Sequence, residues 1–446
     1  MYRRSLLGLS TSLLAGAALL PARLLAAARQ WQNWSGNQSA QPLALEYPPS
    51  VESLRNLLAN TEGTVRCFGG SHSFSALVPT EHTLVSLEAL AGMQTADPGT
   101  GRTRFSAGTR LAMASQQAWQ QGLSFSNEPD INLQSLAGAV ATSTHGTGRQ
   151  LQSLSGQVHA MELLTAQGEL LRLDANDGEL FRAAQCSLGA LGITTAIEFQ
   201  QQPAYRLREE TRVMALEDAI ARIREDKDKH RHIEMFVFPR GRTAMIKTMD
   251  EVLDEEDIFP ESNSNELLET MCEVTMHAAW LQPVIQKLLK HLVTDEIRQG
   301  PAWKVYGNVR TVRFNEMEYT VPAEDGLEVL QEVVDIIDKQ NINVMFPIEY
   351  RYTAADNTLI GMFSERAGAS ISVHQYFKQD YQPLFSATEP ALIAAKGRPH
   401  WGKLHTLDAK RLADVYPQFE RFLALRRQLD PEGRFLNAHL KHLLGE

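Results

Sequence analysis

The chain has 446 residues, with 43 lysines and arginines against 53 aspartates and glutamates, for a formal net charge of −10. This balance excludes a broad nucleic-acid surface, and 43% hydrophobic content is that of a globular protein with a sizeable core, long enough for two domains. Three widely spaced cysteines (Cys67, Cys186 and Cys272) and 13 histidines without CxxC or HExxH spacing argue against a metal centre and allow at most one disulfide.

At the N-terminus, Arg3 and Arg4 precede an uncharged, mostly apolar stretch at 6–20, followed by Pro21 and Ala26-Ala27-Ala28. The pattern is expected to be a twin-arginine export signal over residues 1–29, delivering the mature chain to the periplasm. A general secretory signal, or an uncleaved anchor at a membrane, is the alternative. No later segment is apolar and long enough to span a bilayer. After Pro48-Pro49, apolar positions at helical spacing predict a helix over 51–58.

The run Val65-Arg66-Cys67-Phe68 then stops at Gly69-Gly70, and Ser71-His72-Ser73 follows. Two glycines let a backbone turn sharply and offer bare N–H groups to an anion, here beside one imidazole. A polar surface turn is the alternative. Residues 105–111 and 163–173 read as strands around glycine turns. From Ser135 to Gly148 nearly every residue is Gly, Ala, Ser or Thr, which lets a flat or extended ligand lie against the main chain; a tightly packed loop is the alternative. Gly146-Thr147-Gly148 does not complete GxGxxG, and no downstream acid follows a strand–glycine–helix unit, which argues against a dinucleotide site for NAD. Gly189 and Gly192 lead into a β-branched run that reads as a strand to residue 199.

Beyond Pro203 the pattern changes. A helix is expected over 214–224, a strand over 233–238, a solvated acidic loop over 250–265 without EF-hand spacing, a helix over 327–337, and strands over 344–352 and 370–377. Period two puts Glu349 and Arg351 on one face of their strand. Beside a buried sheet such charges are costly unless they pair or face a polar cavity; an exposed salt bridge is the alternative. Residues 397–405 gather Arg398, His400, Trp401, Lys403 and His405. A tryptophan between Pro399-His400 and a glycine makes an idle basic loop the weaker reading.

In this order the motifs resemble those of the sugar-1,4-lactone oxidases and alditol oxidases, within the vanillyl-alcohol-oxidase (PCMH-type) flavoproteins. Gly69-Gly70-Ser71-His72-Ser73 is similar to the flavin pyrophosphate loop, with His72 where covalently flavinylated members carry the linking histidine. Residues 135–148 resemble the second flavin-binding stretch, 189–199 the strand closing the flavin domain, His400-Trp401-Gly402-Lys403 a C-terminal signature, and 429–437 the closing turn. The resemblance covers nearly everything after residue 40. It implies an α+β, two-domain fold: a PCMH-type FAD-binding domain at 30–200, a substrate (cap) domain at 201–404 with an antiparallel sheet flanked by helices, and a C-terminal return at 405–446.

The resemblance also implies FAD, linked through His72. The residues expected on it are Gly69, Gly70, Ser71, His72, Ser73, Ser135, Gly138, Ala139, Thr142, Thr144, His145, Gly146, Gly148, Ile193 and His400. It implies hydride transfer from a carbinol of a sugar lactone or polyol to flavin N5, with O2 or another electron acceptor reoxidising the flavin. The expected catalytic residues are Glu349, Arg351, Lys403 and, more loosely matched, His374. Arg351 and Lys403 are expected to place positive charge near flavin N1, and Glu349 to bind sugar hydroxyls and hold Arg351. Lys403, its pKa lowered by neighbours such as Arg398, or the flavin itself is expected to receive the hydroxyl proton. A same-fold dehydrogenase serving a quinone or cytochrome, and a non-catalytic flavin- or sugar-binding protein, are the competing readings.

Overall fold

The computed structural model describes residues 30–292 and 295–446, so the expected export signal lies outside the described residues. Two assemblies of sheet and helix enclose the core. The first holds a parallel three-stranded sheet, ordered Ala44–Glu46, Thr83–Ser86, Val65–Phe68, and an antiparallel five-stranded sheet, ordered Leu170–Asp174, Val158–Leu164, Ile193–Gln200, Arg102–Ser106, Met93–Asp97. The chain leaves this sheet at Gln200 and at Arg206 enters an antiparallel sheet of eight strands. Their order is Glu296–Pro301, Arg206–Ala215, Thr243–Val252, His232–Phe238, Ile348–Thr353, Gly368–Tyr376, Phe314–Pro322, Arg398–Pro399.

The faces of this larger sheet differ because side chains alternate along each strand. One face presents Met235, Val237, Tyr350, Ile371, Val373, Tyr319 and Val321 to a core shared with the helix Gly326–Lys339, which buries Leu330, Val333, Val334 and Ile337. The other face carries Glu209, Lys247, Glu234, Arg351, Glu349, Ser372, His374, Glu316 and Glu318, all buried. Both faces are therefore covered, which is why Ile348–Thr353 and Gly368–Tyr376 are buried throughout.

The C-terminal segment returns to the first assembly. Val65 N–H donates to Arg434 O at 2.9 Å, and the Arg66 guanidinium donates to the carbonyls of Phe435 at 2.7 Å and Leu188 at 2.8 Å. Buried Asp430 shapes this turn by accepting from the amides of Arg434 and Phe435, each at 2.9 Å.

Helices over Val51–Asn60, Leu216–Asp226 and Gly326–Lys339 match the periodicities, and the hairpin Val158–Leu164/Leu170–Asp174 matches the expected strands. Three expectations differ. The strand expected over 105–111 ends at Ser106 and a helix starts at Leu111, because a Cβ at Gly108 would sit 1.8 Å from Leu87 O and the chain must turn there. The strand expected from 344 starts at Ile348, since Pro347 has no N–H to give a ladder. The acidic run starts inside the strand Thr243–Val252. Its loop is tied down by Arg206, which donates to the carbonyls of Asp254, Glu255 and Glu256 and to the Asp257 carboxylate. All three cysteines are free.

Candidate active site

Between the first assembly and the polar face of the large sheet lies a cavity with about 1580 Å³ of empty space, open solvent at its mouth included. One wall is the turn after Val65–Phe68. Gly69, Gly70, Ser71, His72 and Ser73 all border the cavity, and among the described residues their five amides donate to no protein acceptor. Ser71 holds the left-handed backbone at φ +57°, rare for a residue with a side chain. Successive free amides around such a residue form an anion-binding concavity. The glycines are needed for close approach: a Cβ at Gly69 would lie 1.9 Å from Ser135 Oγ, and one at Gly70 2.6 Å from Leu133 O. Residues near the start of the described chain brace the turn, with Trp31 Nε1 donating to Ser71 Oγ at 3.0 Å, Trp34 N to Ser71 O at 2.8 Å and Asn33 Nδ2 to Ser73 O at 3.0 Å.

His72 stacks on Trp34 with centroids 5.3 Å apart. Burial, and then the nearby Lys403 and Arg110 cations, lower its pKa to about 4, so the imidazole is neutral. Of the other expected cofactor contacts, Ser135, Gly138, Thr142, Thr144, His145, Ile193 and His400 border the cavity. Ala139, Gly146 and Gly148 do not. Ala139 belongs to the core; a Cβ at Gly146 would meet Glu128 O at 2.2 Å; Gly148, at φ +137°, is pressed against Leu151 and Arg231 O. Their smallness serves chain packing. Trp401 is likewise a core residue, fully buried and donating to Ile360 O at 2.7 Å.

The opposite wall is made of charge. Arg351, Lys403, Glu318 and Asp130 reach the cavity. Arg351 donates to Glu349 and, at 3.0 Å, to Glu234 Oε2, and lies 3.5 Å from Asp130 Oδ1. The exposed salt bridge is thus replaced by a buried one that faces a polar cavity. Glu349 and His374 do not border the cavity; Glu349 is joined to it through Arg351, and His374 through Glu316 and Lys403. Burial, against the opposing pull of Arg351, raises the Glu349 carboxyl to about 7. Burial would also raise Asp130, but Arg310 (2.8 Å) and Arg351 outweigh it and hold it below the carboxylate range. Burial lowers His400 to about 3, and its Nδ1 accepts from Gly402 N at 3.0 Å.

Lys403 donates to Glu316. This contact holds the Lys403 side chain in place at the cavity wall. The Arg398 guanidinium is spent on the carbonyls of Val415, Met362 and Ser364. Glu316, Glu349 and His374 bring ligand-type atoms within 4.8 Å of one another, the spacing of a metal site, yet Lys403 and Arg351 already neutralise those carboxylates.

Sequence reasoning missed Asp130, Glu234, Glu316 and Glu318. The alternation Phe314-Asn315-Glu316-Met317-Glu318-Tyr319 carries a period-two signal for the last two; Asp130 and Glu234 carry none outside the fold. The donor set fits FAD: a row of free amides and small residues suits a pyrophosphate and ribose, and the cations across the cavity suit an electron-accepting ring.

Residues 197–443 match the D-arabinono-1,4-lactone oxidase family and residues 42–174 match an FAD binding domain. The chain is 34% identical to an L-gulono-1,4-lactone dehydrogenase of Mycobacterium tuberculosis, over 93% of this chain and 99% of that one. It is 26% identical to an L-gulonolactone oxidase of Bos taurus (92% and 97% covered) and 27% to an alditol oxidase of a Streptomyces species (92% and 98%). Among solved structures, a cholesterol oxidase from B. sterolicum superposes with a TM-score of 0.77 at 15% identity, covering 93% of this chain and 96% of that one, which shows a shared fold.

Proposed function

The chain belongs to the D-arabinono-1,4-lactone oxidase family, and from that premise we propose how it works, where, and with which acceptor. It is an FAD-dependent oxidoreductase acting on CH–OH groups of sugar lactones or polyols. The observation that carries the site assignment is the pairing, across one cavity, of five free amides at 69–73 with the buried Arg351 and the half-buried Lys403.

Bound FAD supplies the hydride acceptor for the carbinol carbon. The residues around it bind, orient and fix charge. The amides of residues 69–73 and the hydroxyls of Ser135, Thr142 and Thr144 would hold the dinucleotide. Arg351, clamped by Glu349, Glu234 and Asp130, and Lys403, clamped by Glu316, present donors that need no reorganisation when negative charge develops. Glu349 holds or releases a proton near neutrality beside Arg351.

His72 would carry the covalent link to the cofactor: its neutral imidazole lines the cavity and makes no hydrogen bond among the described residues. Export by the twin-arginine route is supported by Arg3-Arg4 and the uncharged stretch at 6–20, and a linked cofactor would not be lost outside the cytoplasm. O2 is the proposed acceptor. The M. tuberculosis relative, named a dehydrogenase, favours a second reading in which another acceptor takes the electrons.

One set of measurements tests these readings. Anaerobic addition of aldonolactones, alditols and hexuronates should bleach the flavin for at least one lactone or polyol, and a panel without effect would refute the substrate class. Peroxide release in air separates the acceptors. Acid precipitation should leave the yellow colour on the protein, and its full release would refute the link to His72. Cell fractionation should find the protein in the periplasm, and a cytoplasmic pool alone would refute export.

A further inference from the structure

Glu316 is buried at 3% exposure on the strand Phe314–Pro322, and both of its carboxylate oxygens are engaged. Oε2 accepts from Lys403 Nζ, and Oε1 lies 3.4 Å from His374 Nε2, directly across the strand pair. The backbone joins in: Leu404 N donates to Glu316 O at 2.9 Å, fixing the segment that carries Lys403. His374 Nδ1 lies 2.9 Å from Pro347 O, which can only accept, so Nδ1 carries a hydrogen. A second proton on Nε2 turns the contact with Glu316 into a charge-assisted hydrogen bond.

The titratable and charged groups around Glu316 come from four elements: Glu318 on its own strand, His374 on Gly368–Tyr376, Glu349 on Ile348–Thr353, and Lys403 with His400 from the loop after Arg398–Pro399. Glu318 is committed to His145 at 2.7 Å and Glu349 to Arg351. Among the described residues, Glu316 is thus the one carboxylate that serves both Lys403 and His374.

We propose that Glu316 is a positioning residue for the oxidation: it sets where the Lys403 ammonium stands in the cavity and keeps His374 doubly protonated beside it. The kinetic half of this rests on the role proposed for Lys403; the half concerning His374 does not. Burial alone would push His374 down, and the Glu316 carboxylate outweighs it and holds the imidazole above its ordinary value. Burial would raise Glu316 itself, and Lys403 and His374 together bring it down to about 2.

Glu316→Gln keeps the size and removes the charge. In FAD-loaded protein, NMR titration of His374 (assigned with His374→Gln) should move to lower pH by at least about one unit once the anion is gone. Anaerobic flavin reduction should slow about 10²-fold, with KM changing less, the scale of a misplaced catalytic group. Glu316→Asp, which keeps the charge on a shorter arm, should retain most of the His374 shift and recover part of the rate. In a Lys403→Ala background, Glu316→Gln should cost little more, because its effect runs through Lys403. A merely structural role would add in full and leave His374 unmoved; either result overturns the proposal, as does a wild-type rate in Glu316→Gln. If Lys403→Ala alone reduces flavin at the wild-type rate, the role of Lys403 falls, and the His374 titration alone decides for or against Glu316.

Discussion

On one side of the cavity stand five consecutive amides, from Gly69 to Ser73, in a turn where two glycines remove every Cβ that would block the next segment. On the other side stand Asp130, Glu234, Glu316, Glu318, Glu349, Arg351 and Lys403, drawn from five separate segments and nearly all ion-paired. The first wall offers main-chain dipoles, which border the cavity and carry no net charge to balance. The second holds net charges, each set against a partner on its own strand or on a neighbouring segment. The first wall should fail by losing shape, the second by losing balance.

Arg351→Ala tests the second wall most severely. Flavin reduction should slow about 10²–10³-fold, the usual loss for one preorganised donor, and the stranded Glu234, Glu349 and Asp130 should lower the melting temperature as well. Arg351→Lys should recover stability more than rate, because an ammonium cannot reproduce the fork. Stopped-flow reduction near wild type would place the site elsewhere.

The matching test of the first wall is Gly70→Ala. The added carbon would lie 2.6 Å from Leu133 O, a backbone atom, and overpacking of this kind costs about 1–3 kcal/mol. The purified protein should carry less flavin while the residues of the second wall are untouched. Full occupancy would mean that the turn is slack.

A finer probe is Glu349→Gln. With its carboxyl near 7, the wild-type reduction rate should change between pH 6 and 8, and the variant should flatten that step. An identical pH profile in both would remove Glu349 from the titration.

The smallest effect is global. Burial lowers His232, His400 and His405 to about 3 and His72 and His439 to about 4, against roughly 6.5 in the unfolded chain. The unfolded state then binds more protons between those values, so their contribution is full above about 6.5 and is lost as pH falls. Glu128 and Glu349, raised to about 7, oppose this between about 4.5 and 7, where they favour the folded state as pH falls, and so does His374 as pH falls toward 6.5. Five groups against three predict a modest drop in melting temperature from pH 7 to pH 5; a rise would contradict the balance.

What could be read without the fold follows the same division. The glycine turn, the imidazole beside it and the small-residue stretch are contiguous in the chain, and their chemistry is that of local backbone shape. Glu349 and Arg351 were legible because period two is a property of one strand. Which of the small residues 135–148 face the cavity was not, because Ala139, Gly146 and Gly148 are small for the sake of neighbours 127–151 and 231.

From its order of residues alone, this protein determined its flavin-type turn, its two-part organisation and the pair of charges on one strand. Tertiary structure decided which anion holds which cation. Glu316 meets His374 and Lys403, and Glu234 meets Arg351, only because eight strands pair in one register. A charge buried without its partner is too costly to keep, and the partner is named by that register and by nothing local.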